Sequence, residues 1–328
     1  MSQLRAILCR LLATGALLAT LLASPWAQAA YPEQPIKMIV AYSAGGGTDL
    51  VARLLAQTLQ KYLGANASVV VVNRPGAGGA IGFAELAGAR PDGYTIGFIN
   101  TPNVLTIPIE RKSTFHWQNF DLLGNIVDDP GNFSVHAESP IKNMSELLAY
   151  AKANPEKVTY GSTGIGSDDH LAALMVERSA GVKLTHVPFK GSAEVHNAIA
   201  SKQIMVAAMN IGEALQYQKG GTPLRHLGQM SERRSNLAPQ VPTFKEQGIN
   251  VIMASLRGVA APRGLPASVR EQLVQAVQKA VADPEFQSKA ANAFAPLRYL
   301  EPLSYAAELK ESEDGFKALW QIMPWADK

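Results

Sequence analysis

The sequence predicts an α/β fold in about two domains, with mainly parallel sheets flanked by helices. Three observations carry this expectation. Between Ile36 and Tyr62 the apolar period changes from a short, partly β-branched run (Ile36 to Tyr42) to helical spacing (Leu50, Leu54, Leu55, Leu59) across three consecutive glycines. Ala67 to Val72 is dominated by valine, as in a strand buried on both faces. The same strand, glycine loop and helix order recurs from Val158 to Gly181, and 328 residues with 47% hydrophobic content suit two cores better than one.

The first thirty residues stand apart. Arg5 and Arg10 precede an apolar run from Leu11 to Ala23, followed by Ser24, Pro25 and the small-residue pattern Ala27, Gln28, Ala29. This is a secretory signal peptide, expected to be cleaved after Ala29 or Ala30, since a membrane-spanning helix needs about 20 apolar residues. Cys9, the single cysteine, lies within it, so the mature chain is expected to have no thiol, no disulfide and no cysteine nucleophile. Removing Arg5 and Arg10 leaves 28 basic against 27 acidic residues, and the formal charge falls from +3 to +1. Such a balance argues against a nucleic-acid partner.

In the opening unit, Gly45, Gly46 and Gly47 carry no side chain to keep a ligand away, and their amides sit at the positive end of the following helix. Thr48 or Asp49 is expected to cap that helix. The loop suits an anion, although a tight strand-to-helix turn needs no ligand. No Lys-Ser or Lys-Thr follows and the G-x-G-x-x-G spacing is missing, which disfavours a nucleotide.

The chain then continues in the same grammar. Asn73 to Gly79 (NRPGAGG) forms a second glycine-rich turn, either another backbone lining for the same cleft or a turn that positions the helix from about Ala80, and Arg74 can serve equally as a structural ion-pair partner. Pro91-Asp92-Gly93 is a turn, and Tyr94 to Ile99 a third strand. It ends at Asn100 and Thr101, the carboxyl end of a strand, where open parallel sheets bind their ligands. Gly124 to Val135 is expected to carry a strand out of the first unit, with Asp128 to Gly131 an exposed bend.

Asn143-x-x-Glu146 reads as a capping box for a helix through Ala153. Val158 to Gly161 is a strand feeding the loop Gly161 to Ser167 (GSTGIGS), a second anion-competent turn before a helix that ends at Gly181. The two glycine loops lie in separate halves of the chain and are expected to face each other across one anion. Strands are expected at Leu184 to Val187, Ile204 to Met209 and Leu224 to Gln229. Leu256 to Pro262 returns the chain to the first unit and carries Arg257, whose guanidinium can fork onto a carboxylate or form a structural salt bridge. From Ser268 onward the chain is helical, with a capping box Ser268-x-x-Glu271 and a last helical stretch, Leu303 to Met323, laid across the first domain. The expected partition is a signal peptide at 1–29, one domain at 30–125 with 253–328, a second at 126–252, and a ligand cleft between them.

Enzyme chemistry finds little footing. The six histidines are scattered, none in H-E-x-x-H or another compact metal spacing, and no G-x-S-x-G elbow is present. No metal site and no cofactor is expected. A general-base role for His170 beside Ser162 is conceivable, but a hydrogen-bonded histidine that orders the loop accounts better for its position.

Over nearly its whole mature length the chain resembles the extracytoplasmic solute receptors of tripartite tricarboxylate transporters, the Bug family. The resemblance rests on AYSAGGGTDLVAR, VVNRPGAGGAIG, ARPDGYTIGF, YGSTGIGSDDHLAALMVE, VPFKGSAEV, VPTFKEQG and GVAAPRGLP, in the family's order. It implies a type II periplasmic binding protein, a two-domain flytrap that is not an enzyme, expected as a monomer. In such receptors the first glycine loop, here Ser43, Ala44, Gly45, Gly46, Gly47 and Thr48, grips one ligand carboxylate through backbone amides and ordered water. By position Asn100, Thr101, Ser162, Thr163 and Ser167 would add polar contacts, and closure would bring Asn210 and Arg257 to the far end of the ligand.

Many relatives have an aspartate in the segment matching Met205 to Asn210, where this chain has none, and an apolar or aromatic residue where it has Arg257. A second ligand carboxylate is therefore expected in preference to an amino acid. The implied function is periplasmic capture of a di- or tricarboxylate and its delivery to a membrane permease. A carboxylate sensor for a signalling partner is the alternative, and a Ser162/His170 hydrolase a remote one.

Overall fold

The computed structural model describes residues 31–64 and 67–326, so the expected signal peptide and its cleavage site lie outside the described residues. The first strand-helix run comprises β1 (Ile36–Val40), α1 (Gly47–Leu63), β2 (Val69–Asn73), α2 (Ala80–Ala87), β3 (Thr95–Asn100) and α3 (Asn103–Glu110). A long strand, β4 (Phe120–His136), leads to α4 (Met144–Ala153), β5 (Thr159–Ser162), α5 (Asp168–Ala180), β6 (Thr185–Pro188) and α6 (Ser192–Ala200). Next come β7 (Val206–Asn210), α7 (Ile211–Lys219) and β8 (Leu224–Gln229). The chain closes with β9 (Ala254–Pro262), α8 (Ala267–Ala282), α9 (Pro284–Asn292), β10 (Leu297–Leu300) and α10 (Pro302–Ile322).

The strands form a curled mixed sheet in the order β2-β1-β3-β9-β4-β7-β5-β6, with β8 and β10 also paired to β4. At each end is a parallel triplet: β1 lies between β2 and β3, and β5 between β6 and β7. Two antiparallel strands join the triplets. β9 pairs with β3 and with the first part of β4, while β7 and β8 pair with its last part. The carboxyl ends of β1, β3, β5 and β7 thus approach one another near the middle of the sheet.

Local chemistry accounts for the helix boundaries. Asn143 Oδ1 accepts from the Glu146 amide at 2.9 Å to start α4, and Asp283 Oδ1 accepts from the Glu285 amide at 2.8 Å to start α9 with Pro284 in its first turn. α5 ends at Gly181, whose φ of 64° is left-handed. Two large apolar clusters result. One gathers β1, β3, α1, α8 and parts of β4 and β9; the other gathers the last part of β4, α4, β5, α5 and β7. Leu55 and Leu59, expected on the buried stripe of α1, are both fully buried, and each contributes about 1.5–3 kcal/mol by leaving water.

Several expectations are corrected. Asp128 to Gly131 is not an exposed bend but part of β4, Asp128 to Pro130 paired with β9 and Gly131 with β7, and Asp129 is only 1% exposed. Neither Thr48 nor Asp49 caps α1. The cap position is Gly46, and the Asp49 carboxylate reaches back to the Gly45 amide at 2.9 Å. α8 starts at Ala267 after Pro266 in the cap position, two residues too early for Ser268 to cap it. The last helix does not lie on one cluster: Tyr305 and Leu309 belong to the first, Leu319 and Trp320 pack on the second, and Phe316 touches both.

Candidate functional site

At the carboxyl ends of β1, β3 and β7 lies a narrow cavity, with about 340 Å³ of empty space including its open mouth but only about 20 Å³ within reach of the centre of a water-sized sphere. Of the expected residues, Gly46, Gly47, Thr48, Asn100, Thr163, Asn210 and Arg257 line it. Gly47 begins α1, so its amide is one of those that a helix leaves without an internal acceptor. That amide donates to Glu213 Oε1 at 3.1 Å. A side chain on Gly47 would put its Cβ 2.4 Å from the same oxygen and 2.5 Å from Arg257 Nη1, so only glycine permits this approach.

Arg257 is the electrostatic centre. It projects from β9, is 2% exposed, and its Nη2 donates to Asn210 Oδ1 (2.9 Å), Glu213 Oε1 (3.1 Å) and Asp129 Oδ2 (3.2 Å). Burial pulls its pKa down, but the carboxylates of Glu213, Asp129 and Asp168 outweigh this and hold it above the ordinary value. One guanidinium shared among several carboxylates compensates each only in part. Burial, with the Glu213 charge adding to it, therefore pushes Asp129 up to about 7 despite its ion pair. Burial likewise pushes Asp168 and Asp169 up, against hydrogen bonds from Asn210 and Thr163 respectively.

Two polar atoms on residues more than nine-tenths buried, Arg257 Nε and Asn100 Oδ1, have no hydrogen-bond partner among the described residues, and both residues line this cavity. A buried donor and a buried acceptor left unpaired each cost about 1–3 kcal/mol. A bound solute that pairs with them recovers that cost.

The other expected residues have different employment. Ser43 Oγ donates to Glu194 Oε1 at 2.5 Å, Ala44 is exposed, and the Gly45 carbonyl accepts from Tyr217 Oη at 3.1 Å. Thr101 is tied to β9, its Oγ1 accepting from the Leu256 amide and its carbonyl from Ser255 Oγ, each at 3.0 Å. Ser162 is fully buried with its Oγ 2.6 Å from His186 Nε2, and Ser167 caps α5 by accepting from the His170 amide. His170 does not pair with Ser162. Its Nδ1 accepts from the Gly166 amide at 3.1 Å, and burial followed by the neighbouring His186 lowers its pKa to about 3.

The two glycine loops do not meet face to face. The Ser43 to Gly47 loop faces the start of α6, through Ser192 and Glu194, and α7, through Glu213 and Tyr217. The Gly161 to Ser167 loop faces the second glycine turn and α3: Thr106 Oγ1 donates to the Gly166 carbonyl at 2.8 Å, and a Cβ on Gly164 would lie 2.8 Å from Gly78 Cα. Thr163 alone of that loop lines the cavity, with its Oγ1 donating to Asp169 at 3.1 Å.

Six residues that also line the cavity were not expected there: Tyr42, Asn103, Asp168, Ser192, Glu213 and Ser255. For Glu213 a signal exists. Asn210-x-x-Glu213 has the same form as the Asn143-x-x-Glu146 box, and both halves of that capping box form at the start of α7. The segment Met205 to Asn210 carries no acid of its own, but the fold brings acids to it from elsewhere in the chain. Asp168 accepts from Asn210 Nδ2 at 2.7 Å, and Asp129 and Glu213 flank Arg257. Among the described residues no group of three or more His, Cys, Asp and Glu is arranged to hold a metal ion, and no helix is long and apolar enough to cross a membrane.

Residues 51–299 match the family model described as the tripartite tricarboxylate transporter family receptor. The chain belongs to that family. It is 35% identical over 292 residues to the UPF0065 protein in the gbd 5′ region of Cupriavidus necator, covering 88% of this chain and 87% of the relative. Among solved structures it is similar to the periplasmic binding protein BugD (31% identity, TM-score 0.84, covering 91% of this chain and all of BugD). It is also similar to Rpa4515 of R. palustris, solved with adipate (25% identity, TM-score 0.83, covering 89% and 97%). The fold is that of a periplasmic binding protein, and the tripartite tricarboxylate transporter receptors are solute-binding proteins, not enzymes.

Proposed function

We propose that this receptor captures a small carboxylate in the cavity between the two strand triplets and delivers it, in the periplasm, to the permease of a tripartite tricarboxylate transporter. The observation that carries this reading is the seat formed by the Gly47 amide and the Arg257 guanidinium, which here holds the carboxylate of Glu213. A ligand carboxylate meets the same donors: a helix N-terminal amide and a buried guanidinium. Two or three charge-assisted hydrogen bonds at about 1.5–3 kcal/mol each bring binding toward the ~8 kcal/mol of a micromolar complex.

The far end of the ligand is read differently from the dicarboxylate expectation. Arg257 is already shared by Asp129, Asn210 and Glu213, so it is not an open second anion site. Beyond it the cavity presents the acceptors Asp168 and Asn100 Oδ1. These favour a carboxylate carrying a hydrogen-bond donor, a hydroxyl or ammonium group, over one whose second carboxylate is bare. The two-domain partition, 30–125 with 253–328 against 126–252, is proposed as the pair of bodies that close on it, with β4 and β9 as the connections. Export with cleavage near Ala29 or Ala30 and action as a monomer complete the proposal.

Differential scanning fluorimetry of the purified mature chain against a carboxylate library tests it, because a solute that binds only the native state raises Tm. A hydroxy- or amino-carboxylate is expected to give the largest shift. A library in which no carboxylate moves Tm, or in which neutral sugars do, refutes the reading.

A further inference from the structure

We infer that Glu213 is an internal ligand of the carboxylate seat, a latch that holds the cleft shut when it is empty and that an incoming carboxylate must displace. The inference rests on the carboxylate-receptor reading and assigns one residue the task of setting the threshold for entry.

Glu213 sits on α7, in the second part of the chain, and bridges to the first. Its Oε1 accepts from the Gly47 amide and from Arg257, and its Oε2 accepts from its own cap residue, the Asn210 amide, at 3.4 Å. It is reinforced nearby by Ser43 on Glu194 and by Tyr217 on the Gly45 carbonyl, both also joining the glycine loop to helices of the other half. A ligand carboxylate and the Glu213 carboxylate cannot share one amide and one guanidinium edge. Exchange between them is neutral in charge, because Asp129 stays paired with Arg257 and one carboxylate replaces another.

The displaced side chain has somewhere to go. On the other side of Gly46, Gly47, Glu213 and Arg257 lies a second cavity of about 950 Å³ including its open mouth, and Arg53 and Gln216 are among its lining. The cation on that side is Arg53, half-exposed and paired with Asp49 at 2.9 Å, which a departing carboxylate would share. Glu213 and Arg257 thus form the partition between an inner chamber that recognises the ligand and an outer one that receives the latch. The unpaired Arg257 Nε indicates that the Glu213 contact leaves the guanidinium short of its full set of acceptors, which makes the occupant replaceable.

The test compares the wild-type mature chain with Glu213→Gln and, as a second variant, Glu213→Asp, whose carboxylate is one methylene shorter. Binding of L-malate, L-aspartate, L-lactate and adipate is measured by calorimetry and stopped-flow fluorescence, and the radius of gyration of each unliganded protein by small-angle X-ray scattering. The latch predicts that both variants bind the solutes that the wild type binds with Kd lowered about tenfold or more, chiefly through faster association, because more of the unliganded protein is competent to bind. It also predicts a larger unliganded radius of gyration in both. Unchanged affinity, or tighter binding with no change in the unliganded radius, overturns the latch and leaves the receptor reading standing. Failure of all four solutes to bind any of the three proteins removes the carboxylate reading and the latch with it.

Discussion

The Gly47 amide and the Glu213 carboxylate, 166 positions apart in the chain, are joined by a hydrogen bond of 3.1 Å, and nothing larger than a hydrogen fits on Gly47 at that approach. Two halves of the sheet are thereby clamped beside the cavity.

Gly47→Ala should impair binding while preserving the fold. Alanine is the better helix former at the start of α1, but its Cβ would lie 2.5 Å from Arg257 Nη1, in the space that the ligand carboxylate takes over from Glu213. Overpacking costs about 1–3 kcal/mol, so calorimetry should show Kd raised about tenfold to a hundredfold, with the far-ultraviolet spectrum unchanged. Wild-type affinity in the variant would show that the ligand carboxylate is not seated between Gly47 and Arg257.

Arg257→Met should be among the most damaging single changes. It strips the cation from Asp129 and Glu213, both buried, and breaking a buried pair from one side costs about 3–5 kcal/mol. Urea denaturation measures this. Adding Asp129→Asn and Glu213→Gln should return part of the lost stability without restoring binding.

Stability should fall as pH rises across the weakly acidic range. The native pKa of Asp129 is raised to about 7 from an unfolded value near 3.9, so between those values the native chain holds a proton that the unfolded chain has lost. Asp129 therefore contributes its full stabilisation below the unfolded pKa and loses it as pH climbs through the native one, and Asp168 and Asp169 act in the same direction. Tm of the unliganded protein should be lower at about pH 8 than at about pH 5, and Asp129→Asn should flatten the slope. A Tm that climbs over this interval would contradict the burial of these acids.

Asp168→Asn should shift selectivity. Loss of a charged acceptor in the inner chamber should weaken a solute that donates there by about tenfold or more and improve the standing of a plain dicarboxylate. The ratio of malate or aspartate affinity to adipate affinity, measured for wild type and variant, reads this directly. An unaltered ratio would place the donor end of the ligand elsewhere.

Much of the architecture was legible because it is written locally. The apolar period around the first glycine loop, the Asn143 cap and Gly181 as a helix end each involve residues within a turn or two of one another. Strand neighbours were harder. Asp128 to Gly131 has turn chemistry, yet pairing with Ala254, Ser255 and Leu256 on β9 and with Asn210 on β7 holds it extended, and no local rule reports partners so far along the chain. The site was legible where it is backbone, at Gly46 and Gly47, and at single polar residues on strand ends, Asn100 and Asn210. Ser162 and Ser167 look the same in sequence as Thr163, but one is turned to His186 and the other to its own helix.

By itself the sequence determined the alternation of strands and helices, the glycine turns with helix amides behind them, and the membership of a receptor family, because period, caps and motif order need no knowledge of distant neighbours. Only the tertiary structure decided what Arg257 does. Its acceptors Asp129 and Glu213 lie 128 and 44 positions away, and the energy of a buried charge depends on which groups the fold sets within hydrogen-bond reach. Whether an arginine in a cleft is an open anion site or a charge already matched is therefore a property of packing.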